Sequence, residues 1–294
     1  MSLNIIPITS NIDKALSKEA DKKYSEFFEL SIQFSLDGFS FCIYDNENNK
    51  LIAIESYAFQ ELENYRQLAT EINDLVYDKK LLKKSYKKVN IIFESPKSTL
   101  IPFPLFDKSE LNSYLKFNHN VESWEIILFD KLQNLEAYNI YTIPECINKT
   151  IKENFGSASI SNFSSSLIES LLIKYKNQNL KNTVFVNLRS NIFDIIIIEG
   201  TKLQLFNSFQ FRTKEDFAYF LLFVFEQLNL NPEEIELFLI GSIDKSSKLY
   251  DIIFKYIRNI DFIEANDLFR YSYVFDSIPS HYYYNLININ LCEL

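Results

Sequence analysis

Glycine is nearly missing from this chain of 294 residues, with four in all, and cysteine (three), histidine (two), methionine and tryptophan (one each) are also sparse. So few glycines exclude a glycine-rich loop, because several N–H groups can close on a phosphate only where the backbone is bare. Cys42, Cys146 and Cys292 are far apart and odd in number. They supply neither a disulfide framework nor a zinc spacing, and they point to a reducing compartment. His119 and His281 have no Cys, His or carboxylate at ligand spacing, which leaves no metal site to assign. A Gly-x-Ser-x-Gly elbow is absent, so acyl-transfer hydrolysis has no support. The longest apolar runs, Phe217–Phe225 and Ile195–Ile198, are too short to span a bilayer, and residues 1–23 alternate apolar with charged side chains. A soluble, cytoplasmic protein is expected.

Positive charge is in deficit too: 30 Lys and Arg face 39 Asp and Glu, for a net charge of -9 and a pI near 5.0. Nucleic-acid binding, which needs a basic face, is thereby disfavoured. One local exception is Lys79, Lys80, Lys83, Lys84, Lys87 and Lys88. The default reading of this cluster is a solvated helix end, and the alternative is an anchor for RNA or an acidic or phosphate-bearing partner.

What the chain does have is apolar bulk, 47% of its residues, with 27 Phe and 18 Tyr. That is enough for two domains, each with its own core. A pattern of three short strands occurs twice. The first copy is Phe28–Leu36, a turn at Asp37-Gly38, Phe39–Tyr44, a turn at Asn46–Asn49, and Leu51–Phe59. The second is Thr183–Leu188, a turn at Arg189–Asn191, Ile192–Glu199, a turn at Gly200-Thr201, and Lys202–Phe211. Strict alternation of Phe28, Leu30, Ile32, Phe34 and Leu36 with polar residues predicts a strand with one packed face. Leu62, Tyr65, Leu68, Ala69, Ile72, Leu75 and Val76 then recur at helical spacing, ahead of strand Val89–Phe93. In the second half Thr213 is placed to cap Lys214–Leu228, whose apolar residues run all round and predict a helix buried on both sides, between the two halves. Strand Ile235–Ile240, helix Ser246–Ile257 and strand Ile260–Glu264 complete a βββαβαβ order. Between the copies, Pro96, Pro102 and Pro104 open a small α+β insert at about 97–145, and polar Asn177–Asn182 marks the boundary between a first half, 1–180, and a second, 181–294.

Two tandem βββαβα(β) units with an insert in the first resemble the actin-like ATPase fold, an α/β architecture of two RNase H-like halves. More closely, the chain is similar to a bacterial family of unknown function, domain of unknown function 3822, to which that fold is assigned. The opening meander, Ser98–Pro102 leading to Leu105-Phe106, and the end His281–Leu294 carry the likeness. The resemblance implies where a nucleotide would sit. Actin-like ATPases place an Asp on the first strand of each half to hold magnesium, and a Gly in the following turn. In the first half the acid, glycine and later lysine of that pattern fall at Gln33, Ser35 and Ser40, and in the second the acid and glycine fall near Asn187 and Arg189. None matches. Of the adenine-side glycine pair, Gly241-Ser242 keeps one member.

The expectation is therefore a non-catalytic, pseudo-ATPase binding or scaffold protein with a protein partner and no cofactor. No catalytic or metal residue is assigned. The alternative is an ATPase or kinase binding ATP and Mg through Asp37, Gly38, Asp194, Gly241 and Ser242. Glu94, at a strand end, and Asp194 are the carboxylates singled out for perturbed titration. Trp124 and Tyr282–Tyr284 could form a recognition surface, although core packing is preferred in a chain so rich in aromatics.

Overall fold

A computed structural model describes residues 5–14, 16, 21–178, 180–181 and 183–294. Parts of the two segments read above, residues 1–4, 15 and 17–20 of the N-terminal stretch and Asn179 and Asn182 of the boundary, lie outside the described residues. The chain forms two compact units, 1–170 with 267–277 and 285–294, and 171–266 with 278–284.

The first unit opens with β1 (Ile5–Ile12) and α1 (Asp21–Phe27), then the meander β2 (Phe28–Phe34), β3 (Gly38–Asp45) and β4 (Lys50–Phe59). Helix α2 (Tyr65–Asp78) and β5 (Lys88–Phe93) follow. Helix α2 starts after Leu62 because the Asn64 side chain accepts from Arg66 N and Gln67 N, both at 3.1 Å. The stretch after β5 folds as β6 (Ser98–Pro102), α3 (Leu111–Asn118), β7 (Glu125–Leu132) and β8 (Ala137–Pro144), with the strands in their own antiparallel sheet ordered β6-β8-β7. Helix α4 (Glu145–Phe155), β9 (Ser159–Asn162) and α5 (Phe163–Tyr175) then return to the main sheet, and the division between the units falls within α5.

The main sheet of this unit runs β1-β4-β3-β2-β5-β9. Phe28, Leu30, Ile32 and Phe34 pack with Leu68, Ile72 and Leu75 of α2 and Ile147 and Ile151 of α4 in one core. The opposite face of β2 is buried as well, because the C-terminal segment covers it: Ser31 Oγ donates to Asn290 Oδ1 at 3.0 Å, and the Cys42 thiol on β3 contacts Leu286 O at 3.7 Å. Burial pushes that thiol up to about 12, so Cys42 is an inert packing residue.

The second unit holds β10 (Thr183–Leu188), β11 (Ile192–Glu199), β12 (Lys202–Gln210), α6 (Lys214–Gln227), β13 (Glu236–Gly241), α7 (Lys248–Ile253) and β14 (Asn259–Phe262). Its sheet runs β12-β11-β10-β13-β14. In both sheets the meander pairs antiparallel, and the two later strands add in parallel beside its first strand. The parallel additions need helical crossovers, which α2 and α6 begin. Capping of α6 by Thr213 is reciprocal: Thr213 Oγ1 accepts from Asp216 N at 3.1 Å, and Asp216 accepts from Thr213 N at 3.0 Å.

Helix α6 departs from the expectation of burial on both sides. Phe217, Leu221, Val224 and Phe225 are buried against the sheet, but Tyr219 is 63% exposed and Phe223 42%. The outward aromatics stack on one another instead, Tyr219 on Phe223 at 6.2 Å between ring centroids and Phe220 on Phe209 of β12 at 5.3 Å.

Residues 267–277 and 285–294 belong to the first compact unit. A two-residue strand, β15 (Arg270–Tyr271), pairs with β4, and Ser272 Oγ donates to Asp13 Oδ2 at 2.6 Å. Helix α8 (Tyr284–Asn288) leads into the segment that covers β2 and β3. Among the described residues no helix is long and apolar enough to cross a membrane.

Candidate functional site

The first-half candidates cluster around the β2–β3 turn, and protein groups already occupy them. Ser35 N donates to Gly38 O at 3.0 Å, Asp37 N to Ser35 Oγ at 3.1 Å, and Asp37 O accepts from Phe59 N at 2.9 Å. The amides that would approach a phosphate are thus spent inside the turn. Gly38 is needed for another reason: a Cβ there would fall 2.6 Å from Tyr57 O on the neighbouring strand. Gln33 Nε2 donates to Glu94 Oε1 at 3.1 Å, joining the ends of β2 and β5, and Ser40 Oγ lies 2.8 Å from Ser56 Oγ. Asp37 itself is exposed at the tip.

The second-half candidates converge on one carboxylate. Ladder register places Asn187 of β10, Asp194 of β11 and Ser208 of β12 side by side across three strands. Successive residues on a strand point to opposite faces, so these three side chains share one. Asp194 is 0% exposed. Its Oδ1 accepts from Arg189 Nη2 and Ser208 Oγ, each at 2.6 Å, and its Oδ2 from Asn187 Nδ2 at 2.8 Å and Arg189 Nε at 3.1 Å. Four donors fill the roughly four lone-pair directions of a carboxylate. A two-pronged guanidinium grip of this kind is the strongest protein-internal way to hold a buried acid. Arg189 thus turns its charge inward from the β10–β11 turn, where the ATPase pattern has a glycine.

Gly241 ends β13 with φ +85°, and a Cβ there would fall 2.1 Å from Leu188 O and 3.0 Å from Asn187 Oδ1. Its N–H donates to His281 O at 2.8 Å, and Ser242 N donates to Leu188 O at 3.0 Å. The backbone groups that would face an adenine are therefore engaged by the protein. His281 completes the clamp, its Nε2 2.7 Å from Ile243 O and its ring 4.3 Å from that of Phe262. Burial holds the imidazole below its ordinary range, so it stays neutral. We predict that Gly241→Ala destabilises the protein by about 3 kcal/mol or more, from positive-φ strain and the clash with Leu188 O. Urea unfolding would measure the loss, and a change below about 1 kcal/mol would mean that the turn can relax.

The remaining sequence candidates scatter. His119 Nε2 lies 3.0 Å from Ser98 O. Trp124 is exposed, Tyr282 and Tyr283 are half-buried, and Tyr284 is buried. Among the described residues no group of three or more His, Cys, Asp and Glu could hold a metal ion. Lys79 leaves its cluster and turns to Glu55, 3.7 Å away, and to the Tyr57 ring.

Sequence reasoning misses Asp130, whose carboxylate is buried where the insert meets the main sheet. Asp130 Oδ2 accepts from Asn162 N at 2.8 Å and Oδ1 from Tyr141 OH at 3.2 Å, while Tyr141 OH also lies 3.0 Å from Ile160 O. Two insert side chains thereby satisfy the open edge of β9, which would otherwise present unpaired backbone. Burial raises the Asp130 carboxyl from its ordinary value to about 7, against the hydrogen bonds that favour its charge. The signal was available: Asp130 falls in phase with Leu128 and Leu132 on the inward side of β7, a place for an apolar residue.

Both sheets, with their shared strand order, define a protein of the actin-like ATPase fold. A model of the family described as a protein of unknown function (DUF3822) matches residues 17–260, and the chain belongs to that family. A Bacteroides thetaiotaomicron protein with actin-like ATPase fold and unknown function is similar at 28% identity and a TM-score of 0.76, over 94% of this chain and 100% of that one. The type IV pilus biogenesis complex PilM–PilN contains a chain similar in fold, with a TM-score of 0.64 at 11% identity, over 90% of this chain and 97% of that one. None of the curated proteins matches the sequence.

Proposed function

We propose that this chain is a pseudo-ATPase, an actin-like protein of two RNase H-like halves without a working nucleotide site, which acts as a cytoplasmic binding or scaffold protein for a protein partner. The observation that carries the reading is the Arg189–Asp194 pair. Phosphoryl transfer is almost entirely positioning and charge compensation. Here the second-half acid position is the amide Asn187, the neighbouring Asp194 is gripped by the internal cation Arg189, and the first-half acid position is the amide Gln33, bonded to Glu94. That a PilM chain of this fold is found in complex with PilN supports a partner-binding role.

The rival is an ATPase or kinase that uses Asp37, Gly38, Asp194, Gly241 and Ser242 with ATP and Mg, and exposed Asp37 is its best support. A ligand at a hundred times its Kd stabilises a fold by about 2.7 kcal/mol, a shift of several degrees in Tm. We predict that millimolar magnesium-ATP at physiological salt gives no rise in Tm that Asp37→Ala removes. A rise that this substitution abolishes would establish the rival.

A further inference from the structure

Among the described strands, one edge of the two main sheets stands unguarded. A sheet edge offers unpaired N–H and C=O groups to any strand that meets it, and folded proteins blunt it with proline, charge, shortness or cover. In the first unit β4, the third strand of its meander, is covered by β1, and β1 carries Pro7 beside a register shift. The β9 edge is met by the Asp130 and Tyr141 side chains of the insert. In the second unit β14 has four residues and includes exposed Asp261. Strand β12, the counterpart of β4, has no such guard. It is nine residues long and ends its sheet, and from Leu203 to Phe211 the chain contains neither a charged residue nor a proline. Its ladder to β11 is regular from Leu205 to Gln210. Among the described residues no strand pairs with its outer side, and Gln204, Asn207, Ser208 and Gln210 are exposed. Ser208 N donates to Asn207 Oδ1 at 2.9 Å, a local substitute for a partner strand.

The outward side of α6 lies beside this edge. Phe220 rests on Phe209 of β12, Tyr219 meets the Phe220 ring at 5.5 Å, and Tyr219 and Phe223 are both exposed. A bare edge in the sheet layer and an aromatic stripe in the helix layer are thus neighbours. A lone strand added to β12 would pair the edge and leave the stripe in water. An occupant with a strand and a helix in the same two layers covers both, and this chain has them.

We propose that the β12 edge and the α6 aromatics form a two-fold interface with a second copy of this chain. Strand β12 runs antiparallel to its counterpart, so the two five-stranded sheets join into one. A two-fold axis perpendicular to the sheet keeps both α6 helices on one side, where their stripes meet. Antiparallel self-pairing brings like residues near one another, and the uncharged stretch avoids the repulsion that a chain of net charge -9 would otherwise bring to it. A nine-residue strand is about 30 Å long, and strand plus overlying helix about 20 Å deep, giving about 600 Å² on each partner. That is at the low end for a specific dimer, and a Kd on the order of micromolar is expected. The interface does not depend on whether a nucleotide binds, so its failure would leave the pseudo-ATPase reading untouched.

The test is sedimentation velocity of the full chain over a concentration series, joined to hydrogen exchange of the natural protein. The expected result is a monomer–dimer equilibrium, with slower exchange in peptides covering residues 203–211 at high than at low concentration. Gln204→Lys with Gln210→Lys, which puts like charges where the strands meet, should weaken the dimer at least tenfold without lowering Tm. Tyr219→Gln with Phe223→Gln should do the same from the helix layer, while Phe117→Gln, at a residue 88% exposed on α3 of the first unit, should leave it unchanged. A single monomeric species up to about 0.3 mM, well above a micromolar Kd, would overturn the proposal. So would open-ended assembly in place of a dimer, exchange in 203–211 that is independent of concentration, a dimer indifferent to either double variant, or an equal loss from Phe117→Gln.

Discussion

Arg189→Ala should destabilise the protein by about 3–5 kcal/mol, the loss expected when one partner of a buried ion pair is removed and the other is left charged. Asp194 is fully buried, and without Arg189 it would keep only two of its four donors, those from Asn187 and Ser208. Asp194→Asn should cost less, since an amide keeps the shape and the freed guanidinium, about one-fifth exposed, can reach solvent. Combining Arg189→Met with Asp194→Leu should recover most of the stability, because apolar residues of similar volume often replace a buried pair without loss. Urea midpoints of the four proteins would check the order. A loss below about 1 kcal/mol for Arg189→Ala would mean that the pair is not the support of this turn.

The second large effect runs with pH through Asp130. Its carboxyl is raised from 3.8 to about 7 in the fold, so between those values the folded state keeps a proton that the unfolded chain releases. Stability from this group is therefore greatest below about pH 4, falls as pH rises towards 7, and levels above it. The span corresponds to on the order of 4 kcal/mol, against the usual trend of surface acids. The groups that face the carboxyl are Tyr141 from β8, whose own ionisation burial pushes well above its ordinary value, the Ser165 hydroxyl from α5, and the Asn162 amide from β9. None of them changes charge in this range. Subtracting the stability–pH curve of Asp130→Asn from that of the natural protein should leave a component that declines from pH 4 to 7. A difference curve that is flat, or that rises, would contradict it.

Much of this fold was readable from residue order, because local periodicity carries it. Alternation in β2, the turn residues of both meanders and Thr213 as a helix cap are short-range signals, and the elements follow them closely. What the chain brings together over long range was hidden. Strand β1 and the pairing of 270–271 with β4 are set by partners at the other end of the sequence, and nothing local announces them. The outward side of α6 was misjudged because an all-apolar run has no phase, so periodicity cannot say which stripe is buried. At the site, the mismatches at Gln33, Ser35 and Arg189 were legible as residue types. That Arg189 would grip Asp194 depends on a three-strand register that only the folded sheet supplies.

The β2–β3 and β10–β11 turns hold themselves closed with the protein's own groups. Crystals soaked with magnesium and a non-hydrolysable ATP analogue test it most directly. The prediction is no phosphate density against residues 35–38 or 189–191, with Arg189 still paired to Asp194. Nucleotide phosphates seated at those turns, with Arg189 swung away from Asp194, would contradict it.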